Sequence, residues 1–464
     1  MTLTINLLIK HFIFKLPRSL LFLLLLLFFG AWLHTPLKAQ YSANGFLQNY
    51  NAIQTTGEYE IIAARNRLRL QLSRSLNNGN LHTEVDFIQR YADSERVELQ
   101  IKELYFDWYF DKSDLRLGKQ KITWGRANGA FVTDILSPLD IREFLTQDPS
   151  DIIIGVTALN LTRYFRANSL QLVFNPVFQQ DLLPDPDSRW FPLQRVEGPL
   201  PVPVNFRGKQ KPPSIRTLQA ATRFALRPSG SFDLDLMLMY WTHPTPAYAL
   251  NINLFNFPDL PSIDLTESYI ASPMAGYSFE WRPHRNLSIQ SEMLYVNERL
   301  FTFLPVSVNQ LERALDDPAE ALQLLQDFEF RDDGYLLTKP WLHSMIGLQT
   351  EIAGTTVNVQ AYLETIFNYE ERILPQRLFP YVNLLVNRSF LRDRLQVISI
   401  GRYNIYGDDF WIQLQGVYEL ADDLEIALGT NLFGGEMTSP FYGHFTFNQF
   451  RENSFIFSRI ALYF

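Results

Sequence analysis

Cysteine is absent from the 464 residues. Its absence removes disulfide frameworks, thiolate metal sites and a lipidated N-terminal cysteine. Long apolar runs are also scarce: beyond the first forty residues no stretch reaches the ~18 consecutive apolar residues of a membrane helix. Basic charge is in deficit, since 41 Lys and Arg against 49 Asp and Glu leave a net charge of -8. That balance argues against nucleic acid as a partner, and the basic clusters alternate along strand-like segments instead of forming a tail.

The one long apolar run lies at the start. Lys10, Lys15 and Arg18 precede Leu20 to Leu33, and Leu37-Lys38-Ala39 offers a cleavage site before Gln40. This pattern predicts a secretory signal peptide over 1–39. A retained membrane anchor is the alternative, because the run approaches the required length. Polar, strand-like alternation begins directly after Ala39 and favours cleavage. Removal takes away four basic residues and no acids, moving the net charge from -8 to -12. The remaining roughly 425 residues suit either two or three soluble domains or one large barrel.

Period two dominates the chain beyond Ala39. From Arg65 to Ser73, Arg65, Arg67, Arg69 and Gln71 alternate with Leu68, Leu70 and Leu72. Leu81, Val85 and Phe87 alternate with His82, Glu84 and Asp86, and Phe232 to Tyr240 sets Leu234, Leu236 and Leu238 against Asp233 and Asp235. Val357, Val359, Ala361 and Leu363 oppose Asn358, Gln360 and Glu364. A soluble sandwich alternates in the same way, so periodicity alone does not choose between sandwich and membrane barrel.

The connections do choose. About 18 strands can be placed from 43–53 to 454–464, with 16 possible because 370–393 is ambiguous. One set of connections is tight: Asn77-Asn78-Gly79, Asp111-Lys112-Ser113, Arg166-Ala167, Pro228-Ser229-Gly230, Pro283-His284-Arg285, Gly354, Arg392-Asp393 and Ala421-Asp422. The other set holds every long loop, at 124–152, 179–213, 243–267, 301–339 and 435–453. Long and short connections segregated to opposite ends predict a transmembrane antiparallel up-and-down β-barrel, with long extracellular loops and short periplasmic turns. In hydrocarbon an unpaired edge strand is too costly, so the strand near Phe46 must close on the last one.

That last strand puts Ile456, Ile460, Leu462 and Phe464 on one face. It resembles the C-terminal insertion signal of outer-membrane barrels, with Ile460, Leu462 and Phe464 carrying the likeness. Tyr105, Trp108, Tyr240, Trp241, Trp281 and Tyr295 sit near strand ends, where interfacial girdles need them. Two strands break the pattern. In 97–110 the polar face passes from Glu98, Gln100 and Lys102 to Glu103, Tyr105 and Asp107, which predicts a bulge. In 114–123, Leu115 and Leu117 share parity with Lys119 and Lys121, and Gly118 is the expected bulge there.

The loops carry the functional expectations. Loop 179–213 is dense in proline and reads as extended surface structure. In 301–339, Asp317-Pro318-Ala319-Glu320 looks like a helix start running through Leu325. Loop 124–152, the third on its side, mixes Arg126 and Arg142 with Asp134, Asp140, Glu143, Asp148 and Asp151. Folded inward, it would narrow the lumen and set a transverse field that selects polar or charged solutes. Its apolar Phe131, Val132, Ile135, Leu136 and Phe144 call for a protein surface to pack on; the alternative is a solvated outer loop. Arg65, Arg67 and Arg69 should face the lumen, since Arg at mid-depth in lipid costs roughly 2–4 kcal/mol. They serve either anion guidance or pairing with acids such as Glu84 and Asp86. Arg116, Gln120 and Trp124 complete the set of expected pore-lining residues.

Leu117-Gly118-Lys119-Gln120, Thr123-Trp124-Gly125 and Asp134-Ile135-Leu136-Ser137-Pro138-Leu139-Asp140 resemble the signature of an uncharacterised porin-like outer-membrane family. The resemblance implies a transport channel and names no substrate. Hydrophobic or bulky organic compounds are one possibility it brings.

The expected function is therefore an outer-membrane, porin-like channel of a Gram-negative cell for passive or facilitated diffusion of small solutes. The alternatives are a channel for hydrophobic compounds and a closed structural or adhesive barrel. A phospholipase or protease is disfavoured: His343 and Ser344 are adjacent on a strand and should point to opposite faces. No cofactor and no metal are expected, as no His, Asp and Glu cluster shows ligand spacing. The expected partners are outer-membrane lipid, the barrel-assembly machinery through the C-terminal strand and the transported solute, with the protein as monomer or homotrimer.

Overall fold

A computed structural model describes residues 41–464, apart from 93–95, 192–203, 210–217, 254–261, 437–445 and most of 308–332. The expected signal peptide, and the helix start at Asp317-Pro318-Ala319, lie outside the described residues.

In chain order the strands are β1 (Tyr41–Gln54), β2 (Ile61–Leu76), β3 (Gly79–Arg90), β4 (Arg96–Phe110), β5 (Ser113–Gln120), β6 (Val156–Phe165) and β7 (Asn168–Asn175). Then come β8 (Val204–Lys209), β9 (Gln219–Ser229), β10 (Phe232–Thr242), β11 (Ala247–Asn253), β12 (Ser262–Ser268), β13 (Ala271–His284) and β14 (Leu287–Thr302). The last are β15 (Leu336–Ile352), β16 (Thr355–Ile366), β17 (Leu378–Phe390), β18 (Leu395–Asn404), β19 (Asp409–Ala421), β20 (Leu424–Gly435) and β21 (Phe455–Tyr463).

Eighteen of them form one sheet of antiparallel neighbours. It closes where β1 pairs β21 from Phe46↔Tyr463 to Gln54↔Phe455. The ambiguity at 370–393 resolves as a single strand, β17, paired on both sides. The eight expected tight turns lie at one end, together with Tyr41 and Phe464, and the five expected long loops at the other, where a four-residue turn at 405–408 also joins β18 to β19. The remaining strands make a small sheet in the loops, with β12 antiparallel to β11 and parallel to β8. The proline-dense stretch gave no sign of this pairing.

Alternation is resolved as apolar outside and polar inside. Leu238, Ile346 and Leu428 each expose 63 %, whereas Arg65, Arg67 and Arg69 expose 8 % or less. An outer surface this apolar suits hydrocarbon rather than water. Outward aromatics mark both rims, with Trp108 and Trp281 at the turn end and Phe174, Tyr240 and Tyr403 at the loop end. Two of the expected girdle residues do not belong there. Trp241 is buried inside the barrel, and Tyr105 lies on the inner face beneath the Arg116 guanidinium, 3.8 Å from its ring centre.

The bulge in β4 is present: Glu84 pairs Glu103 and Val85 pairs Ile101, leaving Lys102 unopposed. Lys102 and Glu103 thus both point inward, and leucines keep facing out on either side. The expected bulge at Gly118 is absent, since the register runs unbroken from β4 through β6. Gly118 instead has φ +131, and a Cβ there would meet the Leu104 carbonyl and lie 2.7 Å from the Tyr105 Cα. Only glycine fits. The Lys119 and Lys121 conflict resolves differently: the strand ends at Gln120, not 123, and Lys121 turns in to Glu84 at 3.2 Å.

Candidate functional site: the third loop inside the barrel

The strand stops at Gln120 because the next backbone N–H groups find side-chain acceptors instead of a ladder. Lys121 N donates to Glu103, Ile122 N to the Ser137 hydroxyl at 2.8 Å, and Trp124 N and Gly125 N both to Asp134 Oδ1. Residues 121–155 then form the third loop, slightly longer than the expected 124–152. Its side chains bond to inner-face residues of strands around the barrel, so the loop lies within the lumen.

The outgoing limb is pressed on an apolar inner wall. Ile122, Trp124, Val132, Ile135 and Leu136 share a buried cluster with Met237, Met239, Met274, Leu294 and Met345. One cation pins this limb: Arg126 reaches Glu280 at 2.9 Å, Asp235 at 3.2 Å and Asp233 at 3.4 Å. Glu292 accepts from Arg126 N, from Ala127 N at 3.0 Å and from the Thr133 hydroxyl at 3.0 Å. Gly125 is required here, because a Cβ would lie 2.6 Å from Asp134 and 3.1 Å from Glu292. At the far side, the Asn128 carbonyl accepts from Tyr362 at 3.2 Å and Asn383 at 3.0 Å.

The returning limb is held by charge. Glu143 pairs with Arg65 at 2.6 Å and with Arg90, and Asp151 pairs with Arg67 and with Arg69 at 2.8 Å. The Lys102 ammonium donates to the Asp151 carbonyl at 2.7 Å, and Arg459 pairs with Asp148 at 2.9 Å. Burial alone would raise the Glu143 carboxyl, but Arg65 and Arg90 outweigh it and pull it down to about 2. Asp151 is likewise pushed up by burial and pulled down to about 2 by Arg67 and Arg69. Asp134 moves the other way, raised by burial against the hydrogen bonds it accepts from Gly125 and Trp124.

The expected residues therefore take distinct places. Arg65, Arg67 and Arg69 face inward and do pair with a neighbouring acid, Arg69 to Asp86 at 2.7 Å, while also gripping the loop. Arg116 lies toward the turn end, paired with Asp107 at 2.7 Å. Asp140 and Arg142 pair with each other at 2.6 Å inside the loop. Gln120, fully buried, bonds the Ala158 carbonyl and Asn160. Trp124 is 2 % exposed, its indole N–H on Gln171. Both are packed beneath the loop, because the side-chain caps at 121–125 turn the chain inward there. Ile460 and Leu462 on β21, and Phe464 just beyond its end, are all exposed on the outer face.

Sequence reading missed two features. Asp148 and Asp151 were seen, but not their partners Arg459 and Lys102. His82 and Glu84, one period apart on β3, meet Glu103 across the bulge, with donor atoms within 4.8 Å of one another. Two cations already sit at this cluster, the Lys121 ammonium at 3.2 Å and the Arg69 guanidinium at 3.6 Å from Glu84, while Ser73 holds His82 at 3.0 Å. His343 bonds Tyr381 at 2.8 Å on the inner face, and Ser344 lies outward on the Leu363 carbonyl.

An antiparallel 18-stranded barrel with an apolar outer band is the architecture of outer-membrane barrels. Solved structures of that kind share it. OccK2 (OpdF) of Pseudomonas aeruginosa aligns with a TM-score of 0.50 at 7 % identity, over 91 % of this chain and 97 % of its own. OccAB3 of Acinetobacter baumannii gives 0.49 at 8 %, over 91 % and 99 %, and OccK5 (OpdH) of Pseudomonas aeruginosa gives 0.49 at 8 %, over 92 % and 97 %. At such identities the likeness concerns the fold. No protein-family model and no curated protein sequence matches the chain.

Proposed function

We propose that the protein is an outer-membrane, porin-like channel that passes small solutes by diffusion, with its third loop as the constriction. The observation that carries this reading is the loop itself. A segment of some thirty residues is drawn into the lumen and tied to the wall, one limb by apolar packing and Arg126 and the other by a row of ion pairs, which a purely structural barrel does not require. The lumen face of Arg65, Arg67, Arg69, Arg126, Asp140, Arg142 and Glu143 supplies a polar interior, and no covalent chemistry is involved. The likeness of the Trp124-Gly125 and Asp134 to Asp140 runs to a porin-like family agrees with a transport role. Export through a cleaved leader and insertion through the outward face of β21 belong to the same proposal.

A closed barrel is the second reading, favoured by the two buried apolar clusters inside. Single-channel conductance of the refolded protein in a planar bilayer separates the two. Wild type is compared with a variant lacking Ala127 to Gln147. A steady current that rises on deletion supports a pore narrowed by the loop. No current from either protein, with folding verified, rejects the channel.

A further inference from the structure

The apolar outer face of the barrel is interrupted on β1 and β2, beside the closure with β21. Asn49 and Asn51 alternate with the buried Gln48, Tyr50 and Ala52, and Asn66 follows and precedes the buried Arg65 and Arg67, so all three amides face outward. In the ladder Asn49 lies between Ile460 and Asn66, and Asn51 between Ser458 and Ala64. The interruption falls within the apolar band and not at its margin. Ile53, Ile61 and Ile456 toward the loops, and Leu72 and Leu462 toward the turns, are each at least 41 % exposed.

Tyr91, just beyond the end of β3, ties the amides into one patch. Its hydroxyl accepts from Asn49 and donates to the Asn51 side-chain oxygen, both at 2.9 Å. Asn49 also donates to Asn66 at 2.8 Å, Asn51 to Asn49 at 2.6 Å and Asn66 to Gln89 at 3.3 Å. Each amide carries two N–H donors. Asn49 uses both, whereas Asn51 and Asn66 use one each and have no second acceptor among the described residues. Outward hydroxyls elsewhere on the wall turn back on their own ladder, Ser291 to the Met345 carbonyl, Ser344 to that of Leu363 and Thr430 to that of Phe455. An N–H left unpaired in hydrocarbon is costly, and acyl chains offer it no acceptor.

We propose that this patch is where a second copy of the chain docks, patch on patch across a two-fold axis within the membrane. An amide both donates and accepts, so the patch is complementary to itself, and each remaining N–H finds a side-chain oxygen on the other copy. The surrounding isoleucines and leucines pack as an apolar rim that keeps lipid from the bonds. A ring of three would need a second, different patch. The pairing leaves the lumen and the third loop untouched, so it stands or falls apart from the channel reading.

The test exploits the absence of cysteine. A single thiol is placed at Ser458, beside Asn51 on the outer face, or at Ile346, 63 % exposed on β15. Each protein is refolded into phosphatidylcholine vesicles at low protein density and oxidised. Ser458→Cys should give about fivefold more disulfide-linked dimer than Ile346→Cys, the scale of amide bonding between membrane-embedded surfaces. Adding Asn49→Leu, Asn51→Leu and Asn66→Leu to Ser458→Cys should bring the dimer down to the Ile346→Cys level in a barrel that is still folded. Equal cross-linking at the two thiols overturns the proposal, and that comparison holds whether or not the triple variant folds. Undiminished cross-linking in the folded triple variant also overturns it, since the contact would then be apolar. No dimer at either position leaves the patch to lipid headgroups and overturns the docking site as well.

Discussion

The two limbs of the third loop are held by different physics. The outgoing limb sits on methionines, leucine and valine, with Arg126 as its one cation and the Glu292 carboxyl accepting its N–H and hydroxyl groups, whereas the returning limb has acid after acid on a row of arginines. Apolar packing has no charge to screen or titrate, and ion pairs beside a hydrated lumen do. The outgoing limb is thus a permanent fixture of the barrel. The returning limb is the part that conditions and mutations can loosen.

The strongest way to break this contrast is to place a charge under the outgoing limb. Leu294, 0 % exposed on β14, belongs to the apolar cluster. Leu294→Asp buries an unpaired carboxylate at a cost on the order of 4 kcal/mol. Undocking of the loop should follow, with conductance approaching that of the deletion variant and new protease sensitivity at 127–135. A folded Leu294→Asp barrel with wild-type conductance would show that the apolar contact does not hold the loop.

Arg67→Ala attacks the other limb. It leaves Asp151 with Arg69 alone and removes a buried partner of Asp86, costing about 3 kcal/mol at contacts that the structure places on β2. Conductance should flicker between the wild-type level and one higher level, with no protease cleavage at 127–135. If Arg67→Ala behaved like Leu294→Asp, the limbs would not be independent.

Asp134→Asn is the milder counterpart on the outgoing limb. The amide retains one acceptor oxygen for Trp124 N and Gly125 N and loses the charge assistance, worth about 1 kcal/mol. Faster hydrogen exchange at Trp124 and Gly125, with unchanged conductance, is the expected outcome.

Much of the frame was legible in the sequence for one reason: each barrel strand meets an apolar solvent outside and a polar space inside. The alternation of Leu236 and Leu238 with Asp235, and the jump in parity from Lys102 to Glu103, are direct imprints of that geometry. The inward course of the third loop was readable too, because Val132, Ile135 and Leu136 have no place in a solvated loop. What could not be read were partners distant in sequence. Arg459 meeting Asp148 depends on barrel closure, and Glu103 meeting His82 depends on the bulge. The end of β5 was misjudged because Ile122 and Trp124 continue the strand's alternation, while Asp134 and Ser137, ten or more residues on, supply the acceptors that end it. The signature runs around Trp124 and Asp134 are bonded to each other, so part of what resembled a functional motif is the loop's own scaffold.

The smallest effect is the one pH should produce over the ordinary range, and its sign comes from the arginines. Glu143 and Asp151 are drawn down to about 2 in the docked loop, while a released loop would titrate near the ordinary carboxylate value of about 4. A carboxyl with a depressed docked pKa stabilises docking fully above its released value, and that contribution fades as pH falls through the docked one. Conductance should therefore stay level from pH 8 to pH 5. Between about pH 4 and pH 2 the flicker expected of Arg67→Ala should appear in the wild type, while Leu294→Asp, already undocked, should show no such window. A conductance step between pH 7 and pH 5 in the wild type would assign the gate to some other group and break the link between these two carboxylates and the returning limb.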